Sequence, residues 1–304
     1  MLVKNEESNF WTYWGRFLIV YIILSILFSL VFLFLKDIIF PNGAEAIEFF
    51  KPYRSITFLS IAIEIFRGSI IALILYPFYD IIVKKDNSWM VLIGILWGLV
   101  LIGSVDTIPG SIEGFIYTKT TLLEHFIVIV FVAVQSLLFA LIFINWERRS
   151  ISPFDGYELV KKVDKKRYTW HFVLLHVVTY IVMGIIFMTL QDYAGAFATQ
   201  ERFALFRPLD SPIVGAGPFV QILRGGLLSI FVYPLFSKII IKKNGWLLLF
   251  TVMFGFTAMS SYNMIPGMIN TLVEGGSFAD VMVGTVEITV QMLVFSILIF
   301  KWEK

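Results

Sequence analysis

The chain of 304 residues contains no cysteine. Disulfides, thiolate metal sites and thiol nucleophiles are excluded with it. Histidine is nearly as scarce. His125, His171 and His176 are the only three, and the last two are not spaced to share a helical face. No metal site and no cofactor is therefore expected. Charge is the third shortage: Asp, Glu, Lys and Arg make up 15% of the residues, against about one quarter in soluble chains. Walker, dinucleotide-binding, HExxH and Ser–His signatures are also missing. The sequence thus names no reaction, and no nucleic-acid partner is expected.

What the chain has instead is apolar length. Hydrophobic residues account for 58%, and the mean hydropathy is +0.84. A membrane-spanning helix needs about 20 mostly apolar residues. Eight stretches are predicted to qualify: 16–35, 60–83, 89–105, 122–145, 171–190, 218–241, 246–262 and 281–300. Phe10, Trp11, Tyr13 and Trp14 precede the first as an aromatic interfacial belt. Glu6 and Glu7 flank it and no small-residue cleavage site follows, so it reads as a retained span, not a signal peptide.

The charges orient these spans. Lys84, Lys85, Arg148, Arg149, Lys161, Lys162, Lys165, Lys166, Arg167, Lys238, Lys242, Lys243, Lys301 and Lys304 all fall on alternate connections. The other connections are mixed or acidic, with Asp106, Glu113, Glu274 and Asp280 among them. The positive-inside rule then puts both termini in the cytoplasm, with the cell membrane as the expected location.

An arginine inside an apolar run occurs twice. Glu64-Ile-Phe-Arg67-Gly68 runs to Tyr76-Pro77 and Lys84-Lys85; Gln221-Ile-Leu-Arg224-Gly225 runs to Tyr233-Pro234 and Lys242-Lys243. Ile108-Pro109-Gly110 recurs as Ile265-Pro266-Gly267, Val134-Gln135 as Val290-Gln291, and Trp146-Glu147 as Trp302-Glu303. Each half carries an even number of spans, so both enter the membrane from one side. The expected fold is an all-α integral membrane protein. Its eight transmembrane helices form two parallel four-helix repeats about a pseudo-twofold along the membrane normal. Residues 1–149 and 168–304 are the repeats, and 150–167 is a basic cytoplasmic linker.

Intramembrane charge raises a functional hypothesis by default. Arg67 and Arg224 are expected at equal depth, and a guanidinium fork suits carboxylate or phosphate. Glu64, one turn from Arg67, is its natural counter-charge. Gln221 replaces that glutamate in the second half, where Glu287 is the expected substitute. Gln135 and Gln291 are placed near mid-membrane. Arg67, Arg224, Glu64, Gln221, Glu287, Gln135 and Gln291 therefore form the candidate ligand site, for a small anionic or zwitterionic solute in a transporter-like protein. The competing reading makes the same pairs structural glue in a scaffold or accessory subunit with a membrane-protein partner. A third, a lipid-modifying enzyme using Glu64, Glu113 or Glu287, lacks a nucleophile–base constellation. Phe172-x-x-x-His176 resembles one motif of the glutamate-type intramembrane proteases. The paired-glutamate and second histidine motifs of that family are absent, so the match assigns nothing. The lipid bilayer itself is the remaining expected partner.

Overall fold

A computed structural model describes residues 9–50, 56–150, 163–191, 195, 203–259, 264, 268 and 284–304. The second Ile-Pro-Gly connection, Glu274, Asp280, most of the linker and residues 192–194 and 196–202 lie outside the described residues.

The described residues form a helical bundle in chain order. Helix α1 spans Phe10–Ile39, α2 Glu45–Phe50 and α3 Phe58–Leu75. A 3-10 turn (Tyr76–Phe78) and a π segment (Asp80–Lys84) continue α3. Helix α4, Ser88–Ile93, passes directly into a π segment, Gly94–Ile102. Short α5 is Ile112–Tyr117, and long α6 is Leu122–Arg149. Helix α7 spans Lys165–Leu190, α8 Pro212–Gly215 and α9 Gly217–Ile239. Helix α10, Gly245–Phe254, also turns π, over Gly255–Met259; α11 is Thr285–Glu303.

Six helices among the described residues are long and apolar enough to cross a membrane: α1, α3 with its 3-10 turn, α6, α7, α9 and α11. The chain is thus a polytopic membrane protein. Predicted spans 89–105 and 246–262 emerge differently. Ser88–Ile102 and Gly245–Met259 are apolar but shorter, and each ends in π geometry. Their side chains are mostly buried. Irregular backbone is tolerated at membrane depth where protein covers it.

Local chemistry sets the helix starts. Thr57 with Ser60, and Thr121 with Glu124, form reciprocal capping boxes on α3 and α6. Asp164 caps α7 by accepting from the Arg167 amide at 2.7 Å. Glu124 also accepts from the Ala46 and Ile47 amides at 2.9 and 3.3 Å. It thereby holds the start of α2 against α6. Pro218 lies in the first turn of α9, where its missing N–H costs nothing. The matched prolines part company. Pro77 falls in the 3-10 turn that ends α3, whereas Pro234 is carried inside an unbroken α9.

Helix α1 packs on α3 and α6, and α7 on α9 and α11; α4 lies against α6, and α10 against α11. Between these groups, the π segment after α4 meets α9 and the π segment after α10, which in turn meets α3. Close approach there depends on glycine. A Cβ on Gly98 would stand 2.4 Å from two ring atoms of Phe231, and one on Gly255 would stand 2.1 Å from Ile74 Cδ1.

Ion pairs gather around Glu147, Glu303 and Asp80. Glu147 takes Arg16 at 3.1 Å and the Tyr79 hydroxyl at 2.7 Å. Glu303 takes His171 at 2.5 Å and Arg167 at 3.4 Å. Arg148 donates to the Val83 and Lys85 carbonyls, closing the end of the π segment. Lys238 on α9 reaches Asp80 at 3.1 Å.

Candidate functional site

The first Ile-Pro-Gly connection is a compact, bonded turn. Gly110 adopts a φ of +92°, open to glycine, and its amide donates to His125 Nδ1 at 2.9 Å. Ser111 caps α5 by accepting from the Gly114 amide. A Cβ on Gly114 would stand 2.1 Å from the Ile108 carbonyl oxygen, so the turn can close only on glycine. The result is a broken helical turn, α5, directed against α9.

That turn delivers Glu113 to Arg224. The Glu113 Oε1 atom lies 2.7 Å from Arg224 Nη1 and accepts from Gln221 Nε2 at 3.0 Å. Gln221 Oε1 accepts from Arg224 Nη1 at 3.3 Å and meets His176 Nε2 at 3.2 Å. Arg224 Nη2 donates to the Gly103 carbonyl at 2.9 Å. Arg224, Gln221, His176 and Glu113 are all buried. Tyr117, one turn along α5 from Glu113, bonds Tyr180 of α7. The cluster therefore joins residues from α5 and the end of the α4 π segment to residues from α7 and α9. Arg224 Nε is buried without a partner among the described residues.

Arg67 heads a different network. Its Nη1 lies 2.7 Å from Glu64 Oε1. Ser25 of α1 donates to Glu64 at 3.4 Å, and Gln135 of α6 donates to Ser25 at 3.5 Å. Arg67 and Gln135 also line a cavity of about 30 Å³ with Tyr21, Ser136 and apolar neighbours. That is room for a water or two. Its walls come from α1, α3, the α4 π segment and α6.

Of the seven sequence-predicted site residues, the structure joins Arg224 to Gln221, and Arg67 to Glu64 and Gln135. The two arginine groups have different surroundings and do not form one constellation. The counter-charge expected for Arg224 was Glu287, whereas the carboxylate bonded to it is Glu113. The reason is the folding of α5 across the bundle, which no helical periodicity reveals. Glu287 sits half-buried in the first turn of α11, near enough to Tyr117 to act on it electrostatically. Gln291 is buried on α11.

Two residues of the cluster were missed. Glu113 was named only as a connection acid and in the enzyme reading, and His176 was given no place in the candidate ligand site. His176 instead lies well inside α7, 1% exposed. The available signal for Glu113 was the Glu-Gly pair that follows both Ile-Pro-Gly motifs, at 113–114 and 274–275. Among the described residues, no group of three metal-ligating side chains is assembled.

No protein family, curated protein or solved structure matches the chain.

Proposed function

We propose that the chain is an eight-span transporter or permease-like protein of the cell membrane. Its two four-helix halves share one orientation, and its polar site at their seam takes a small anionic or zwitterionic solute. One observation carries the reading: a buried ion pair, Arg224–Glu113, bridges the halves. Taking both charges out of water is costly and adds little net stability over an apolar pair. A buried pair at a seam between two bodies is more readily understood as working charge.

Several contacts support a duplicated architecture. The helix pairings within one half have counterparts in the other, α1 with α3 and α6 matching α7 with α9 and α11. Phe17 meets Phe139 at 4.7 Å, and Phe172 meets Phe295 at 4.7 Å. Arg16 and His171, at equivalent places, both pair with the glutamate of a Trp-Glu. The offset relating Arg67 to Arg224 also relates the Gly98–Phe231 contact to Gly255–Ile74. These recurrences favour counting Ser88–Ile102 and Gly245–Met259 as the third and seventh spans. They also favour the parallel repeat, while the cytoplasmic placement of the termini rests on the segregation of Lys and Arg alone.

The seam has a simple form on α9. Arg224, Leu228, Phe231, Leu235 and Lys238 recur at alternating spacings of four and three, one face of a helix. Arg224 reaches Gly103 and Glu113, Leu228 lies against Gly103, Phe231 lies against Gly94 and Gly98, and Lys238 reaches Asp80. An apolar stripe is thus closed by a cross-half ion pair at each end, roughly 20 Å apart at 1.5 Å per residue. Parting one end while the other stays shut is what alternating access requires.

The test is uptake of labelled amino acids, small carboxylates and phosphate into liposomes carrying the purified protein. Arg224→Gln, if folded, is expected to abolish uptake of the accepted solute. Unimpaired uptake by that variant refutes the assignment. The scaffold reading has its own support, since both arginines are already charge-paired and the Arg67 cavity holds only about 30 Å³. It predicts that no solute is taken up by the wild-type protein.

A further inference from the structure

We infer that Glu113 is a resident stand-in for the ligand, occupying the place on Arg224 that a carboxylate of the transported solute takes. The inference rests on the seam site proposed above and gives its cargo a chemistry.

The way Arg224 is bonded carries the argument. A guanidinium presents five N–H donors in a flat fork and binds carboxylates best through two parallel bonds. Glu113 does not use that fork. Its Oε1 alone faces Arg224 Nη1, and the same oxygen also accepts from Gln221. Gly103 takes Nη2. The Nε–H, which with a neighbouring Nη forms the side-on fork, is buried with no acceptor among the described residues. A buried donor left unpaired costs stability and calls for an explanation. Arg224 is 1% exposed, so the open donor is not served from bulk solvent.

The tether explains the imperfect fit. Glu113 projects from a single broken turn whose path is fixed by Ser111, Gly110 and the tight packing of Gly114 on Ile108. It meets the guanidinium at Nη1 and leaves Nε without an acceptor among the described residues. A free carboxylate is under no such constraint. Around it stand neutral or donor groups: Gln221, His176, and the Tyr117–Tyr180 hydroxyl pair. Among the described residues, Glu287 is the other carboxylate that acts on Tyr117. An external carboxylate that bonds two donors of the fork competes with Glu113 for one positive charge. Solute binding would then release Glu113 and α5 from α9, loosening that end of the seam. The proposed ligand is a small monocarboxylate, free or zwitterionic.

The test compares the thermal stability of wild type, Glu113→Gln and Arg224→Gln in detergent. Acetate, lactate and glycine are titrated against sodium chloride at equal ionic strength. A ligand that binds the folded state raises stability by mass action. Without its tethered competitor, Glu113→Gln should respond at concentrations lower by about tenfold or more than wild type. Arg224→Gln should not respond. If Glu113→Gln cannot be extracted folded, Glu113→Asp replaces it. That variant withdraws the carboxylate by one methylene and should still respond at lower concentrations than wild type. Equal protection by chloride, an unchanged response in the glutamate variants, or a response retained in Arg224→Gln would each overturn the inference. Liposome uptake separates this from the transporter reading. Carboxylate binding that follows this pattern without any flux leaves the stand-in role intact and removes transport.

Discussion

Replacing Gly98 with alanine probes the seam most directly. Its added Cβ would lie 2.4 Å from Phe231 Cδ2 and Cε2 and 2.6 Å from Cζ. These separations are far inside van der Waals contact. The obstacle is three adjacent atoms of a rigid aromatic ring, which cannot relieve it by turning one terminal bond. Either Phe231 leaves its rotamer or α9 moves away from the π segment. Overpacking of this kind costs about 1–3 kcal/mol. The equivalent change on the other side, Gly255→Ala, brings its Cβ nearer still, to 2.1 Å, but the atom met is the terminal Cδ1 of Ile74. One side-chain rotation can carry that methyl aside, at about 0.5–1.5 kcal/mol. Gly98→Ala should therefore be the more damaging of two formally equivalent mutations, despite the longer clash distance. Thermal unfolding of purified protein in one detergent gives the ranking, and a cycle with Phe231→Ala gives the coupling. In the Phe231→Ala background, Gly98→Ala should lose most of its cost. A Gly98→Ala protein that melts with wild type, or whose penalty persists without the Phe231 ring, would refute the packing described for the seam.

Four further outcomes follow from the same structure. Arg224→Ala should cost about 3–5 kcal/mol, because it strands the buried Glu113 carboxylate, and Glu113→Ala added to it should recover part of that loss in denaturation measurements. Gly114→Ala should reproduce the Glu113→Gln phenotype in carboxylate titrations, since a Cβ 2.1 Å from the Ile108 carbonyl displaces α5; normal titration would show that α5 does not position Glu113. Glu147→Gln should destabilise more than Glu303→Gln in the same melts, because both glutamates are buried but the Arg16 partner of Glu147 is 20% exposed, whereas the Arg167 partner of Glu303 is 60% exposed and its other partner, His171, is a weaker base than arginine. For Asp80, burial raises the carboxyl pKa but Lys238 and Lys84 lower it further, leaving it below the ordinary value. A depressed folded-state pKa means the unfolded chain binds more protons, so this stabilisation is present above about pH 4 and fades in acid. The stability gap between wild type and Asp80→Asn should be flat from neutral pH down to about 5 and shrink below 4, and a gap that widens in acid would contradict the pairing.

How much of this was readable beforehand varies by residue. Helices α1, α3, α6, α7, α9 and α11 announce themselves as long apolar runs, because a chain crossing lipid must satisfy its backbone within each segment. Arg67 with Glu64 was legible from spacing alone, since residues three apart share a helical face. Arg224 with Glu113 was not. The two are far apart in the sequence, and Glu113 sits on a short turn whose direction depends on Gly110, Ser111 and Gly114. His176 was hidden for another reason: α7 is apolar nearly all round, so periodicity does not mark which side chains face inward. The Arg224–Leu228–Phe231–Leu235–Lys238 stripe was present in the letters but indistinguishable from its equally apolar neighbours.

The sequence by itself determined the solvent, the six long apolar helices and the recurrence of motifs. Those depend on composition, run length and residue identity, which are properties of the chain taken locally. Tertiary structure alone decided which helix faces meet and where Ser88–Ile102 and Gly245–Met259 turn π. It also decided which carboxylate neutralises Arg224. Those outcomes depend on close packing at glycine and on a guanidinium choosing among acceptors brought within 3 Å by distant parts of the chain, and no local pattern encodes such a meeting.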